Sequence, residues 1–95
     1  MLVFTRPFEF EWDGGNKGKN RRKHSVTDEE CEEIFFDEQK RVLKDTLHSG
    51  SEARYLVLGH TKAQRVLFGV FAMRGDRIRI ISARDLNKKE LKLFL

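Results

Sequence analysis

The sequence has a single cysteine, Cys31, which excludes an internal disulfide and any zinc site built from several cysteines. It has no apolar run of eighteen residues, so no segment is expected to span a bilayer, and the opening MLVFTRPFEF is too short an apolar run for a signal peptide. It has no Gly-rich phosphate loop, no His-Glu-x-x-His and no close set of carboxylates of the kind that holds magnesium for two-metal phosphoryl chemistry. Metal-dependent hydrolysis is therefore not expected, and no cofactor is implied. Internal repeats and a low-complexity tail are also lacking. The 95 residues suffice for one domain, 1–95, with a single small core. A chain of this size buries roughly 60 to 65% of its unfolded surface, which leaves little room for a deep, enclosed site. A cytoplasmic protein of a reducing compartment is the expectation.

What the sequence has in excess is charge. Asp, Glu, Lys and Arg make up 36% of the chain, above the usual fraction of about 25%. The net charge of +4 suits a polyanionic partner. That charge is unevenly placed. Residues 14–24 hold Lys17, Lys19, Arg21, Arg22 and Lys23 with no acid, a local +5. Residues 25–39 hold seven acids and no base, a local −7, and residues 62–95 carry nine bases against three acids, a local +6. Each block can be a solvated face; a functional reading requires the two basic blocks to converge.

The apolar pattern predicts an α+β fold. Phe8, Phe10 and Trp12 alternate with Glu9 and Glu11, the period of a strand with one buried face. Asp13 then reads as a helix N-cap. Residues 14–25 contain no hydrophobic side chain, so a helix here has no apolar stripe to dock, must be held by polar contacts, and is expected to be mobile. Thr27 and Glu30 make a capping box for a second helix whose Cys31, Ile34 and Phe35 share one face. A low-contrast segment at 40–47 can add a strand. Strands at 55–61, 66–73 and 77–83 then form an antiparallel meander, with the middle one covered on both sides. Asn87 caps a closing helix over residues 88–94, with Leu91 and Phe94 on its apolar face.

The arginines carry the chemistry. In the last strand Arg77 and Arg79 alternate with Ile78 and Ile80, so both guanidiniums leave the face opposite the isoleucines. Strict alternation would send Arg84 to the isoleucine side, but the pair Ile80-Ile81 suggests a bulge that returns it to the face of Arg79. Such a row, with Arg74 nearby, is either a phosphate cradle or an edge strand protected by charge. Among the histidines, His24 gains from the positive run beside it, His48 from its loop position, and His60 from nothing. Cys31 reads as core. Together these residues suggest metal-free RNA cleavage, in which the substrate's 2′-hydroxyl attacks the adjacent phosphate and the enzyme supplies a base, an acid and cations.

Phe10-Glu11-Trp12-Asp13, Asn20, Lys23-His24 followed by Val26, Phe36-Asp37, His48-Ser49, Glu52, Arg54, Gly59, Phe71, Arg74 and the block Arg79-Ile80-Ile81-Ser82-Ala83-Arg84 closely resemble the BrnT toxins of bacterial type II toxin–antitoxin systems. The resemblance implies a RelE-like ribonuclease toxin that cuts RNA, halts translation and arrests growth. It implies a ribbon-helix-helix antitoxin of the BrnA type that neutralises the toxin, and a complex that represses the shared promoter, so that DNA is reached only through the antitoxin. Ser25, Ala72 and Phe94 depart from the family's Gly, Thr and Tyr, and the last two remove hydroxyls.

On this reading His24 or Lys23 is the acid or base, and Arg74, Arg79 and Arg84 hold the phosphate and its transition state. Lys19, Arg21, Arg22, Arg77 and His48 contact the RNA. The acidic helix is a solvated face or, through Glu32 and Glu33, a docking surface for a basic antitoxin segment. A non-catalytic RNA- or DNA-binding module is the alternative, although it would be expected to display stacking aromatics on its exposed face. A purely structural partner domain is a third.

Overall fold

The computed structural model describes Phe4 and residues 7–92. Phe94, expected on the closing helix, lies outside them. The elements run β1 (Glu9–Phe10), α1 (Lys19–His24), α2 (Asp28–Glu33), a single 3-10 turn at Ile34–Phe36, β2 (Arg41–Asp45), β3 (Arg54–His60), β4 (Val66–Arg74), β5 (Arg77–Asp85) and α3 (Lys88–Leu91). The strands form one sheet in the order β1-β5-β4-β3-β2. β2 to β5 are an antiparallel meander, and β1 joins the edge parallel to β5. Helices and sheet are thus the expected α+β arrangement, with the 40–47 segment supplying the additional strand.

One face of the sheet carries the core. Val26, Cys31, Ile34 and Phe35 from the helical layer are fully buried with Val57, Leu67, Phe71, Ile78, Ile80 and Ala83 from the strands. Phe4, Phe8, Phe10, Trp12 and Tyr55 pack against this cluster. Edge-on ring contacts tie it together, such as Phe35 to Phe71 at 5.1 Å between centroids. Burial raises the Cys31 thiol to about 12, so it stays an inert core group. The 3-10 turn lies so close to β3 that a Cβ on Gly59 would stand 2.8 Å from the Ile34 carbonyl oxygen; only glycine fits there.

Three expectations need correction. Asp13 does not cap α1: its backbone carbonyl accepts from Asn16 and Lys17, and the helix begins later, after Gly18 at φ 70°. Asp13 instead closes a turn. The 14–25 segment is also anchored rather than mobile, because two buried asparagines do the work apolar residues do elsewhere. Asn16 donates to the Glu11 and Ile80 carbonyls, and Asn20 accepts from the Ala83 amide and donates to the Cys31 sulfur. Buried amides with their bonds satisfied hold a segment as firmly as a small apolar contact. Leu91 is 43% exposed and does not dock. The inward residue of α3 is Glu90, which accepts from Arg84. β4 is the middle strand, and both its faces are largely covered as expected: Leu67 and Phe71 are buried on the core face and Phe68 and Ala72 on the other, where Val70 remains part-exposed.

The bulge falls where the isoleucine pair suggested. Phe71 pairs with Ile80 and Val70 with Ser82, leaving Ile81 as the extra residue. Arg77, Arg79 and Arg84 therefore share the face opposite Ile78, Ile80 and Ala83. β1 reaches only Arg77 and Ile78, with Glu11 donating to the Ile78 carbonyl. Beyond it, side chains of the α1 segment take the free edge: Asn16 bonds the Ile80 carbonyl, Lys19 Nζ the Ile81 carbonyl at 2.9 Å, and Asn20 the Ala83 amide. The edge is blocked without help from the arginines, so guarding it is not what they are needed for.

Candidate active site

Direct cross-strand partners lie on the same sheet face. Arg54 pairs with Ala72, and Ala72 with Arg79, so the two arginines flank a buried alanine in one row across three strands. Arg74 stands one step outward on β4, opposite Arg77. Where this row meets the 13–19 turn, a cleft of about 210 Å³ is lined by Lys19, Glu52, Arg54, Arg74 and Arg79, with Gly15, Asn16, Ile80 and Ile81 completing the wall. Gly15 lies close against the site: a Cβ there would stand 3.0 Å from the Arg79 guanidinium and 3.2 Å from the Asp13 carboxylate, so a larger residue would have to push these side chains aside. The two basic blocks of the sequence do converge, through Lys19 of the first and Arg74 and Arg79 of the second.

Carboxylates hold two of the four cations lining the cleft. Arg79 donates to Glu11 at 3.1 Å and to both oxygens of Asp13 at 2.9 and 3.1 Å. Arg74 donates through Nε to Glu52 at 2.5 Å and through Nη1 to Glu11 at 3.4 Å. The hydrogen bonds from Arg79 and Arg74 lower the carboxyls of Asp13 and Glu52 respectively below their ordinary values, and those bonds raise the two arginines in turn. Arg54 differs. Among the described residues its guanidinium has no hydrogen bond or ion pair, although it lies close enough to Glu52 to be felt electrostatically. An unpaired, half-buried guanidinium between paired ones is a vacancy for an anion.

The other expected residues stand elsewhere. Lys23, His24, Arg21 and Arg22 occupy the exposed surface of α1 and do not line the cleft. Arg77 is exposed, 3.6 Å from Glu9. Arg84 shares the face of Arg79, but four residue rises, roughly 13 Å, separate them along β5. It makes a two-pronged bond to Glu90, lies 5.2 Å over the Phe68 ring, and lines an adjoining groove. His48 lines the same groove with Nδ1 on Asp45 at 2.9 Å. His60 bonds Asp37 in the loop after the 3-10 turn. Glu32 accepts the Trp12 indole N–H at 2.7 Å and Glu33 the Lys62 amide at 2.9 Å, so both acids of the suggested docking face already hold the fold together.

Reading the sequence missed Arg54 and Glu52 as cleft residues. Beginning β3 at Tyr55 left Arg54 outside the strand and hid its place in the row. The signal available was its parity: Arg54, Leu56 and Leu58 alternate with Tyr55, Val57 and Gly59.

A family model described as "Ribonuclease toxin, BrnT, of type II toxin-antitoxin system" matches residues 12–90. No curated protein matches the chain. The matched span contains every residue of the cleft wall.

Proposed function

Because the chain belongs to the BrnT family of ribonuclease toxins of type II toxin–antitoxin systems, with RNA as its target and an antitoxin as its partner, we propose that the Arg54–Arg74–Arg79 cleft is the RNA-cleaving site and that it works without a metal. The observation that carries this reading is the unpaired Arg54 guanidinium facing the same cleft as two arginines held by carboxylates. A phosphate entering there gains a free guanidinium at once and competes with Glu11, Asp13 and Glu52 for the others. As the 2′-oxygen attacks, the phosphorane gathers negative charge between fixed donors, which is where electrostatic stabilisation acts most strongly. The cations lining the cleft are Arg54, Arg74, Arg79 and Lys19.

Lys23, Arg21, Arg22 and His24, exposed along α1, attract and track the RNA backbone outside the cleft. Arg77, Arg84 and His48 contact RNA flanking the scissile phosphate. Cleavage of RNA would halt translation and arrest growth in the cytoplasm. A ribbon-helix-helix antitoxin would neutralise the toxin and carry the complex to its promoter. The aromatic side chains favour an enzyme over a passive single-strand binder, since Phe10, Trp12, Phe35, Tyr55 and Phe71 are spent in or against the core rather than displayed for base stacking.

Incubation of the purified chain with RNA in EDTA tests the reading. New fragments are expected from the wild type, and Arg79→Ala should lower kcat/KM by about 100-fold, the usual effect of removing one transition-state donor. The same substitution should relieve growth arrest. Binding without fragments would overturn the catalytic reading in favour of a non-catalytic module.

A further inference from the structure

The proposed cleavage needs a group to take the 2′-hydroxyl proton, and the cleft narrows the choice to two side chains. Of the residues lining it, the three arginines remain protonated at any working pH, leaving Lys19 and Glu52 as the groups able to exchange a proton. None of the three histidines lines the cleft. Lys19 donates through Nζ to the Ile81 carbonyl at 2.9 Å, which fixes its amino group at the cleft wall. Glu52 is part-exposed in the loop just before β3, two residues ahead of Arg54, and is hydrogen-bonded to Arg74. We propose that Glu52 is the general base and Lys19 the general acid of RNA cleavage. This rests on the ribonuclease reading above and names the proton carriers of the same site.

The balance of the step is complete without a further reactant. The 2′-oxygen forms a bond to phosphorus as its proton passes to the Glu52 carboxylate. The bond from phosphorus to the 5′-oxygen breaks, and that oxygen takes a proton from the Lys19 ammonium. The products are a 2′,3′-cyclic phosphate and a 5′-hydroxyl, and water returns the proton from Glu52 to Lys19. Arg74 makes the base responsive to substrate. In the free protein its hydrogen bond keeps Glu52 ionised but weakly basic. A phosphate that draws Arg74 away removes that bond and raises the basicity of Glu52 when the hydroxyl is in place. The charged groups felt by Glu52 are Arg74 from β4, Arg54 at the head of β3, the strand that follows its loop, and Arg79 from β5.

Glu52→Gln is the sharp test, because the amide oxygen can still accept from Arg74 while the proton-accepting power is gone. Single-turnover cleavage of an end-labelled RNA in EDTA is followed between pH 5 and 8 for wild type, Glu52→Gln and Glu52→Asp, with RNA binding measured by filter retention. The wild-type rate constant is expected to be nearly flat across this range. Glu52→Gln should be slower by about 100- to 1,000-fold, bind RNA within about threefold of wild type, and gain roughly tenfold per pH unit as hydroxide replaces the missing base. Glu52→Asp should recover part of the rate with the flat profile. Cleavage by Glu52→Gln within about threefold of wild type overturns the assignment. A slow variant with a flat profile overturns it too, since it would show that Glu52 only positions Arg74. If the wild type makes no fragments, the ribonuclease reading itself fails and the assignment with it.

Discussion

The two halves of β5 carry the same residue type on the same face and use it differently. Before the bulge, Arg79 faces a cleft with Arg54 and Arg74, and its carboxylate partners come from the short segment after β1. After the bulge, Arg84 clamps Glu90 at the foot of α3, and Asp85 clamps Arg65. Arg65 is a bolt: it also donates to Glu30 and to the Ser25 and His24 carbonyls, joining the β3–β4 turn to both helices. The arginines of the second group have partners that complete a cap or a corner of the fold. Those of the first group crowd around an unpaired neighbour in a concave site. Ion pairing alone does not separate function from scaffold; what else lies within reach of each guanidinium does.

Four variants or conditions press on this contrast. The largest effect is expected from Arg54→Ala, which removes no side-chain hydrogen bond or ion pair among the described residues and so should leave the thermal midpoint unchanged while lowering kcat/KM by about 100-fold. A comparable loss of stability and activity together would place Arg54 with the bolts. Arg65→Ala should show the converse. Loss of its charged hydrogen bonds should cost about 2 kcal/mol, lowering the midpoint in a calorimetric scan by about 10 °C, with cleavage at 25 °C close to wild type. Arg84→Ala tests the boundary between the groups. It leaves Glu90 without its guanidinium, so a loss of about 1 kcal/mol is expected, accompanied by a rise in KM of about threefold and an unchanged kcat. A collapse of kcat would move Arg84 into the cleft group.

The smallest effect concerns pH. Hydrogen bonds lower the folded carboxyls of Glu30, Asp85 and Glu90 below their unfolded values: for Glu30 chiefly from the Thr27 amide and then Arg65, for Asp85 from Arg65, and for Glu90 from Arg84. A group with a depressed folded value stabilises the native state above its unfolded pKa and loses that contribution as pH falls through its folded one. Thermal midpoints should therefore hold steady from neutrality to about pH 5 and fall below about pH 4. The fall should be shallower in Arg65→Ala, and an equally steep curve would remove Arg65 as its source.

Charge reversal at Glu32 or Glu33 is not a clean probe of antitoxin docking. Each change breaks a bond within the toxin, to the Trp12 indole or the Lys62 amide, and so alters the fold as well as any docking.

Much of the fold was legible because its causes are local. The capping box at Thr27 and the cap at Asn87 form as read, the latter also drawing Glu90 into a box, because the partners stand three residues apart. Face parity along β5, with a bulge at the isoleucine pair, follows from a period of two and one extra residue. What was hidden depends on pairs distant in the chain. The anchoring of the 14–25 segment rests on asparagine amides meeting β5 more than sixty residues later. No apolar pattern announces such contacts, because a buried amide looks like a surface residue in sequence.

By itself, then, the sequence determined an α+β chain with a helical layer on one sheet face and arginines on the other, since alternation and helical spacing decide which way each side chain leaves the backbone. Only the tertiary structure decided which arginines act together. Strand register set Arg54 in line with Arg79 across Ala72, and carboxylates from two separate segments, Glu11 and Asp13 after β1 and Glu52 before β3, hold two of the three guanidiniums lining the cleft. Whether a charge is free or neutralised depends on distances of a few ångströms between groups far apart in the chain, and those distances exist only once the sheet has formed.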